Sequence, residues 1–159
     1  MNGHKLKMYA RFERFWHWLQ ALLIIVLLYT GFVLHGTLPL MPFGAAHEVH
    51  LTAGIALLVL TAFAVFWHAT TGQWRQYVPT AAGFPRVVRH YLVGIFRGEP
   101  HPFHKVPEAK LNPLQRLAYL SLKVALLPLV LVTGALLYGA PWLQARGFAV
   151  PFGGTAILH

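Results

Sequence analysis

The chain has 159 residues, of which 57% are hydrophobic and only 11% are charged, whereas soluble domains carry about 25% charged residues. This composition excludes an ordinary soluble protein and predicts one membrane domain, because three or four spans of about 20 residues would use nearly the whole chain. The absence of cysteine excludes disulfides, thiolate-ligated clusters and covalent C-x-x-C-H attachment of a cofactor.

Three apolar segments are each long enough to cross a bilayer. They run from about Phe15 to Leu34, from about His50 to Trp67 and from about Leu117 to Tyr138. A further apolar stretch begins at about Gly154 and reaches only to His159. We therefore expect an all-α, up-and-down membrane helical bundle in which a fourth span is truncated after its start, with residues 69–116 as a long loop.

Lysine and arginine residues collect on one predicted side of the membrane. They precede the first span (Lys5, Lys7, Arg11, Arg14) or lie in the long loop (Arg75, Arg86, Arg89, Arg97, Lys105, Lys110, Arg116), and loops on the other side contain only Arg146. The positive-inside rule then places the N-terminus and the long loop in the cytoplasm. We interpret the net charge of +9 as a result of the basic residues that orient the protein in the membrane, rather than as a sign of affinity for nucleic acid.

The long loop contains a segment with helical periodicity. Residues 84–96, FPRVVRHYLVGIF, place apolar side chains on one face and two arginines and a histidine opposite. This pattern is typical of a short helix lying in the membrane interface. An ordinary cytoplasmic connector explains the pattern equally well.

Three of the ten histidines lie at or just inside the ends of apolar segments, namely His17, His50 and His159. An imidazole in hydrocarbon is costly and usually functional. His50 and His159 fall near the outer side, so these two can ligate one haem iron from opposite faces. His17 falls near the inner side and would ligate a second haem whose other ligand is missing from this sequence. Taken singly, each could instead be a hydrogen-bonded structural histidine.

Two glycines and one arginine fit this arrangement of ligands. Gly54 follows His50 by one helical turn, and Gly31 lies about 21 Å beyond His17 on nearly the same helix face, level with the outer haem. A glycine lets a porphyrin lie close, although small residues also serve simple helix packing. Arg14, one turn before His17, is a candidate partner for a haem propionate or a quinone headgroup.

Other histidines have weaker functional interpretations. His68 lies at the depth of His17 and could replace the missing inner ligand, or could be an interfacial histidine that snorkels beside Trp67. His47 lies one turn before His50 and could contact a propionate or replace His50 as ligand. His35 ends the first span and could line an outer site, although we expect an interfacial role.

The sequence resembles the di-haem cytochrome b subunits of membrane-bound formate dehydrogenases, nickel–iron hydrogenases and thiosulfate reductase-like complexes. The resemblance rests on five stretches: RFERFWHWLQALL, HLTAG, HYLVG, NPLQRLAYL and LVTGALLYG. It implies haem-ligand roles for His17 and His50, and it makes the ILH at the end of the chain the start of a ligand pair, which assigns His159 to the outer haem. It also implies a multi-pass protein of the bacterial inner membrane.

The function implied is electron transfer between quinone and a partner subunit that holds iron–sulfur clusters or haem. Two axial histidines leave no open position on a haem iron, so the haem would pass single electrons rather than bind oxygen. The chain would then be an electron-transfer subunit rather than a catalytic one. One alternative is a self-contained quinol-dependent reductase of a small acceptor, and another is a non-redox membrane anchor or channel component.

Overall fold

A computed structural model describes residues 9–38, 40–106 and 109–159, without the side chains of residues 152, 157 and 158. These residues form helices and no strand, which confirms the expected all-α class. The α-helices are α1 (Arg11–Leu34), α2 (Phe43–Thr71), α3 (Phe84–Leu92), α4 (Pro113–Gln144) and α5 (Phe152–Leu158). The described chain divides into two compact units, an N-terminal unit of residues 9–70 and a C-terminal unit of residues 71–159.

The N-terminal unit is an antiparallel pair of long helices. At one end the rings of Phe12 and Trp67 lie 5.1 Å apart, and at the other the side chain of Thr30 contacts His50. Helix α2 begins at Phe43, seven residues before the apolar segment predicted from the sequence. Pro42 immediately precedes this start, and its carbonyl accepts the N–H of Ala46 at 3.0 Å, which forms the first turn of the helix.

The C-terminal unit places a connecting segment, residues 72–112, before helix α4. This segment contains two 3₁₀ turns, Gln73–Tyr77 and Gly94–Arg97, on either side of α3. Helix α4 begins with a capping box: the Asn112 side chain accepts the Gln115 N–H at 2.8 Å, and the Gln115 side chain accepts the Asn112 N–H at 3.1 Å. Pro113 at the first helical position completes this start signal.

Helix α4 is not uniform along its length. It changes to a π-helical turn at Leu122–Leu126 and returns to α-helix at Leu127. Pro128 explains the change, because proline has no N–H to donate to the carbonyl four residues earlier and its ring clashes there. A local π-turn relieves such a conflict without ending the helix.

Three of the described helices, α1, α2 and α4, are long and apolar enough to cross a membrane. Only 11%, 22% and 6% of the residues in their most apolar windows are buried within the protein. Lipid-facing side chains account for this exposure, because a spanning helix is covered by hydrocarbon rather than by protein. The chain is therefore a helical membrane protein. Helix α5 contains seven residues, so the fourth span stays a prediction.

Candidate cofactor site

His50 is held by the first spanning helix. Its Nδ1 lies 2.8 Å from Thr30 Oγ1, and the Thr30 hydroxyl is also 2.8 Å from the carbonyl oxygen of Val26. A hydroxyl has one proton, and a carbonyl oxygen can only accept. The Thr30 hydroxyl therefore donates to Val26 and accepts the N–H of His50 Nδ1. This hydrogen-bond pattern assigns the ring proton to Nδ1 and the lone pair to Nε2.

His159 is held in the same way within the C-terminal unit. Its Nδ1 lies 3.1 Å from Thr133 Oγ1 and 3.1 Å from the carbonyl oxygen of Val130. The Thr133 hydroxyl is 2.8 Å from the carbonyl oxygen of Leu129. Both atoms that face Nδ1 must accept, so the proton lies on Nδ1 and the lone pair on Nε2. Two independent contacts thus fix the tautomer of His159.

A glycine follows each of these threonines and lies against the same imidazole. A Cβ added at Gly134 would lie 2.7 Å from His159 Cε1, which is closer than real Cβ atoms approach. A Cβ added at Gly31 would lie 3.6 Å from His50 Cε1, an ordinary van der Waals distance. The position of the His159 ring therefore requires glycine at position 134. The His50 ring, in contrast, leaves room for a methyl group at position 31.

Thr30, Thr133 and Gly134 did not emerge as site residues from the sequence. The signal that could have identified them is a repeated dipeptide, because Thr-Gly occurs in the first span at 30–31 and again in the third span at 133–134. Each pair lies on the helix that precedes a predicted ligand histidine. We call the threonine and glycine together a Thr-Gly clamp.

His17 and His68 have contrasting surroundings at the other end of the N-terminal unit. His17 is exposed, with its ring 5.7 Å from that of Trp18. His68 is buried, its Nδ1 lies 2.6 Å from the carbonyl oxygen of Ala64, and its ring packs edge-on against Trp16. Because that carbonyl can only accept, His68 also has its ring lone pair on Nε2. The ligand role of His17, and His68 as its substitute, stay predictions.

The other predicted site residues occupy simpler positions. Arg14 is exposed on the first turn of α1, one turn before His17. Gly54 lies against Leu27 of α1, where an added Cβ would be 4.0 Å from that side chain. His47 and His35 are exposed. Lys5 and Lys7, on which part of the predicted orientation depends, lie outside the described residues.

The side chains of His50 and His159 fit the requirements of a b-type haem. Neutral imidazole nitrogen is a common axial ligand of haem iron, and a metal-bound histidine usually donates its other ring N–H to an acceptor that fixes tautomer and orientation. Both histidines meet that second requirement through Nδ1. The chain has no cysteine to attach haem covalently, so coordination and packing would hold it.

The C-terminal unit also contains an apolar cavity at the start of α4. Its volume is about 340 Å³, and all but a small part of its lining is apolar. The lining residues are Pro79, Thr80, Ala81, Phe84, Pro85, Pro113 and Leu117. A flat, mostly apolar ring system suits such a cavity.

Comparisons with known proteins agree with a haem protein. The family described as "Prokaryotic cytochrome b561" matches residues 8–159. A curated relative of Escherichia coli, named "Putative cytochrome YdhU", is 36% identical over 143 residues, which cover 85% of this chain and 54% of that protein. The chain therefore spans about half the length of the curated relative it matches. No solved structure matches.

Proposed function

Since the chain belongs to the prokaryotic cytochrome b561 family and is a membrane b-type haem electron-transfer protein, we propose a specific route for its electrons. They pass between the quinone pool and a partner oxidoreductase subunit. The partner would be a subunit with iron–sulfur clusters or haem, as in the di-haem subunits of formate dehydrogenase, nickel–iron hydrogenase and thiosulfate reductase-like complexes. We propose the bacterial inner membrane as its location, with the N-terminus and the connecting segment in the cytoplasm.

The observation that carries the proposal is the pair of Thr-Gly clamps. We propose His50 and His159 as the two axial ligands of one haem iron, bound through Nε2. The clamps support this assignment because the Nδ1–H of each histidine donates a hydrogen bond to a threonine hydroxyl. A haem with two histidine ligands supplies one-electron transfer without an open coordination position. The protein's part is to hold both rings in one tautomer and one orientation.

A second haem is proposed on the inner side, with His17 as one ligand. The resemblance to di-haem subunits supports this role. His68 is the candidate second ligand among the described residues, because its Nδ1 faces a carbonyl oxygen, as is usual for a histidine that binds a metal through Nε2. Arg14, one turn before His17, is the proposed partner of a propionate or a quinone headgroup, because a guanidinium pairs well with carboxylates.

A quinone site is proposed at the apolar cavity beside the start of α4. The cavity is large enough for an aromatic headgroup, since ligand pockets begin at about 300 Å³, and its lining from Phe84, Pro113 and Leu117 is apolar. A Leu117→Trp variant would fill the cavity. We expect it to weaken binding of a quinone analogue at least tenfold without changing the haem spectrum.

The deciding experiment for the haem site is a difference spectrum of dithionite-reduced minus oxidised protein, with haem quantified per chain as the pyridine haemochrome. We expect low-spin b-type bands, and we expect His50→Ala and His159→Ala each to remove the haem or convert it to a high-spin form. His104→Ala is the control, because His104 is an exposed histidine of the connecting segment. An intact, folded preparation without haem would refute the proposal.

A further inference from the structure

The connecting segment exposes large apolar side chains where no spanning helix accounts for them. Leu92, Ile95 and Phe96 are 70%, 54% and 84% exposed, and Arg86 and Arg97 lie beside them along the same stretch of chain. We call these five residues the 86–97 patch. For a spanning helix, lipid explains such exposure, but α3 with nine residues cannot cross a bilayer. The exposure of the patch therefore cannot be explained by its lying on a membrane-spanning helix, and another surface must cover it.

The opposite side of the same stretch is fixed to the protein. Val87 is 2% exposed, His90 is 7% exposed and Gly94 is buried. The backbone comes close to other side chains there, because a Cβ added at Gly94 would lie 2.9 Å from both Glu99 Oε2 and His90 Nδ1. The patch is thus the outward side of a segment that is anchored on its inner side.

The position of the segment in the chain limits what can cover the patch. The segment joins the end of one spanning helix at Thr71 to the start of the next at Pro113. Both of its ends therefore lie at the same bilayer surface, which is within reach of the residues between them.

The charges of the segment favour one kind of surface. Its described residues include several arginines but a single acid, Glu99, and that carboxylate pairs with Arg89 at 3.2 Å. Arg86 and Arg97 therefore remain as cations beside the exposed apolar side chains. Anionic lipid headgroups attract basic residues near the membrane surface, and apolar side chains bounded by arginines enter the headgroup region of a bilayer.

We propose that the 86–97 patch is a membrane-docking surface that inserts Leu92, Ile95 and Phe96 into the headgroup region of the bilayer, with Arg86 and Arg97 bound to anionic lipid. This surface holds the connecting segment, and with it the start of α4, at a fixed depth. The inference is independent of haem and of quinone. It rests only on the membrane-spanning helices to either side.

The absence of cysteine makes a direct test possible. A spin label on Phe96→Cys in the full chain, reconstituted in lipid nanodiscs, reports depth through its relative accessibility to oxygen and to a water-soluble nickel complex. Val124→Cys on α4 is the reference for lipid, because Val124 is 67% exposed within a spanning helix. Lys105→Cys, an exposed polar position of the same segment, is the reference for water.

We expect the Phe96 label to have an accessibility between those of the Val124 and Lys105 labels, and to lie deeper in phosphatidylglycerol-containing nanodiscs than in phosphatidylcholine alone. The double substitution Arg86→Gln and Arg97→Gln should abolish that lipid dependence while helicity stays unchanged. A Phe96 label as accessible to nickel as the Lys105 label would overturn the proposal and point to a protein partner. Equal depth in both lipids would overturn the role of the arginines. Neither readout depends on haem, so the outcome is separate from that of the proposed function.

Discussion

At the scale of single residues, the Thr-Gly clamps combine two effects that are separable by substitution. The threonine hydroxyl accepts a hydrogen bond from the imidazole N–H, and the neighbouring glycine gives the ring room. In the N-terminal unit the hydroxyl contact is short and the glycine contact is ordinary, whereas in the C-terminal unit the glycine contact is the tighter one. The two clamps should therefore respond differently to the same type of change.

Thr30→Val removes the hydroxyl and keeps the shape of the side chain. A hydrogen bond from Nδ1 makes the imidazole a stronger donor to oxidised iron, so we expect the variant to have a higher haem reduction potential and about tenfold weaker haem retention. Redox titration and haem transfer to apomyoglobin would measure both. Thr61→Val is the control, since Thr61 makes the same bond to the carbonyl of Leu57 on a spanning helix. Equal effects of the two variants would contradict the clamp.

Gly134→Ala places a methyl group 2.7 Å from His159 Cε1. The ring must move, and we expect loss of low-spin character in the visible spectrum. Gly139→Ala on the same helix is the control, because no atom lies within 4 Å of its added Cβ. Normal spectra for both variants would show that His159 is not held as described.

Sequence reasoning predicted the two clamped histidines but not what clamps them. The cost of an imidazole in hydrocarbon makes His50 and His159 visible in the sequence. A threonine in a spanning helix gives no such signal, because its hydroxyl can be satisfied by the carbonyl four residues earlier in the same helix. Its second contact depends on how two helices pack, which periodicity does not determine.

At the scale of whole elements, helix α4 depends on its first turn. Asn112 is 2% exposed, caps the helix and contacts the Tyr91 hydroxyl at 3.4 Å. Its burial links the start of a spanning helix to α3 of the connecting segment. The apolar pattern predicts the start of this span only at about Leu117, and neither the cap nor the contact with Tyr91 was predicted from it.

Removing the cap should destabilise the C-terminal unit. Asn112→Ala leaves the Gln115 N–H without its acceptor, and we expect a loss of about 1 kcal/mol in the free energy of unfolding. Asn112→Asp keeps the acceptor oxygen and should lose less. Thermal unfolding in detergent, followed by circular dichroism, would measure the difference. Equal stability of the alanine variant and the parent protein would argue against the cap.

Helix boundaries illustrate a further limit of hydropathy. The apolar segment from His50 suggests a ligand at the start of a helix, yet α2 begins at Phe43 and places His50 two turns inside. The residues 44–49 are polar enough to be excluded from an apolar window but include good helix formers such as alanine. A histidine inside a helix has a more rigid backbone than one at its end.

At the scale of the whole molecule, the order of the spanning helices predicts on which side of the membrane each loop lies. Helices α1 and α2 return the chain to its starting side, so residues 72–112 lie on the side of the N-terminus and Arg146 lies opposite. We expect a membrane-impermeant maleimide to label Arg146→Cys from the periplasm and to label Lys105→Cys only after the cells are opened. The parent chain, which has no cysteine, is the blank. Reversed labelling would refute the cytoplasmic N-terminus.

The clamps also bear on how the protein acquires its cofactor. Each imidazole is oriented by a threonine of a neighbouring helix. The conformational entropy of these side chains is therefore lost when the protein folds, and little more of it would be lost when the cofactor binds. An incoming metalloporphyrin would then encounter ligands that need no proton transfer between ring nitrogens and little rotation before bonding. These two side chains would accordingly contribute little rearrangement of their own when a porphyrin binds.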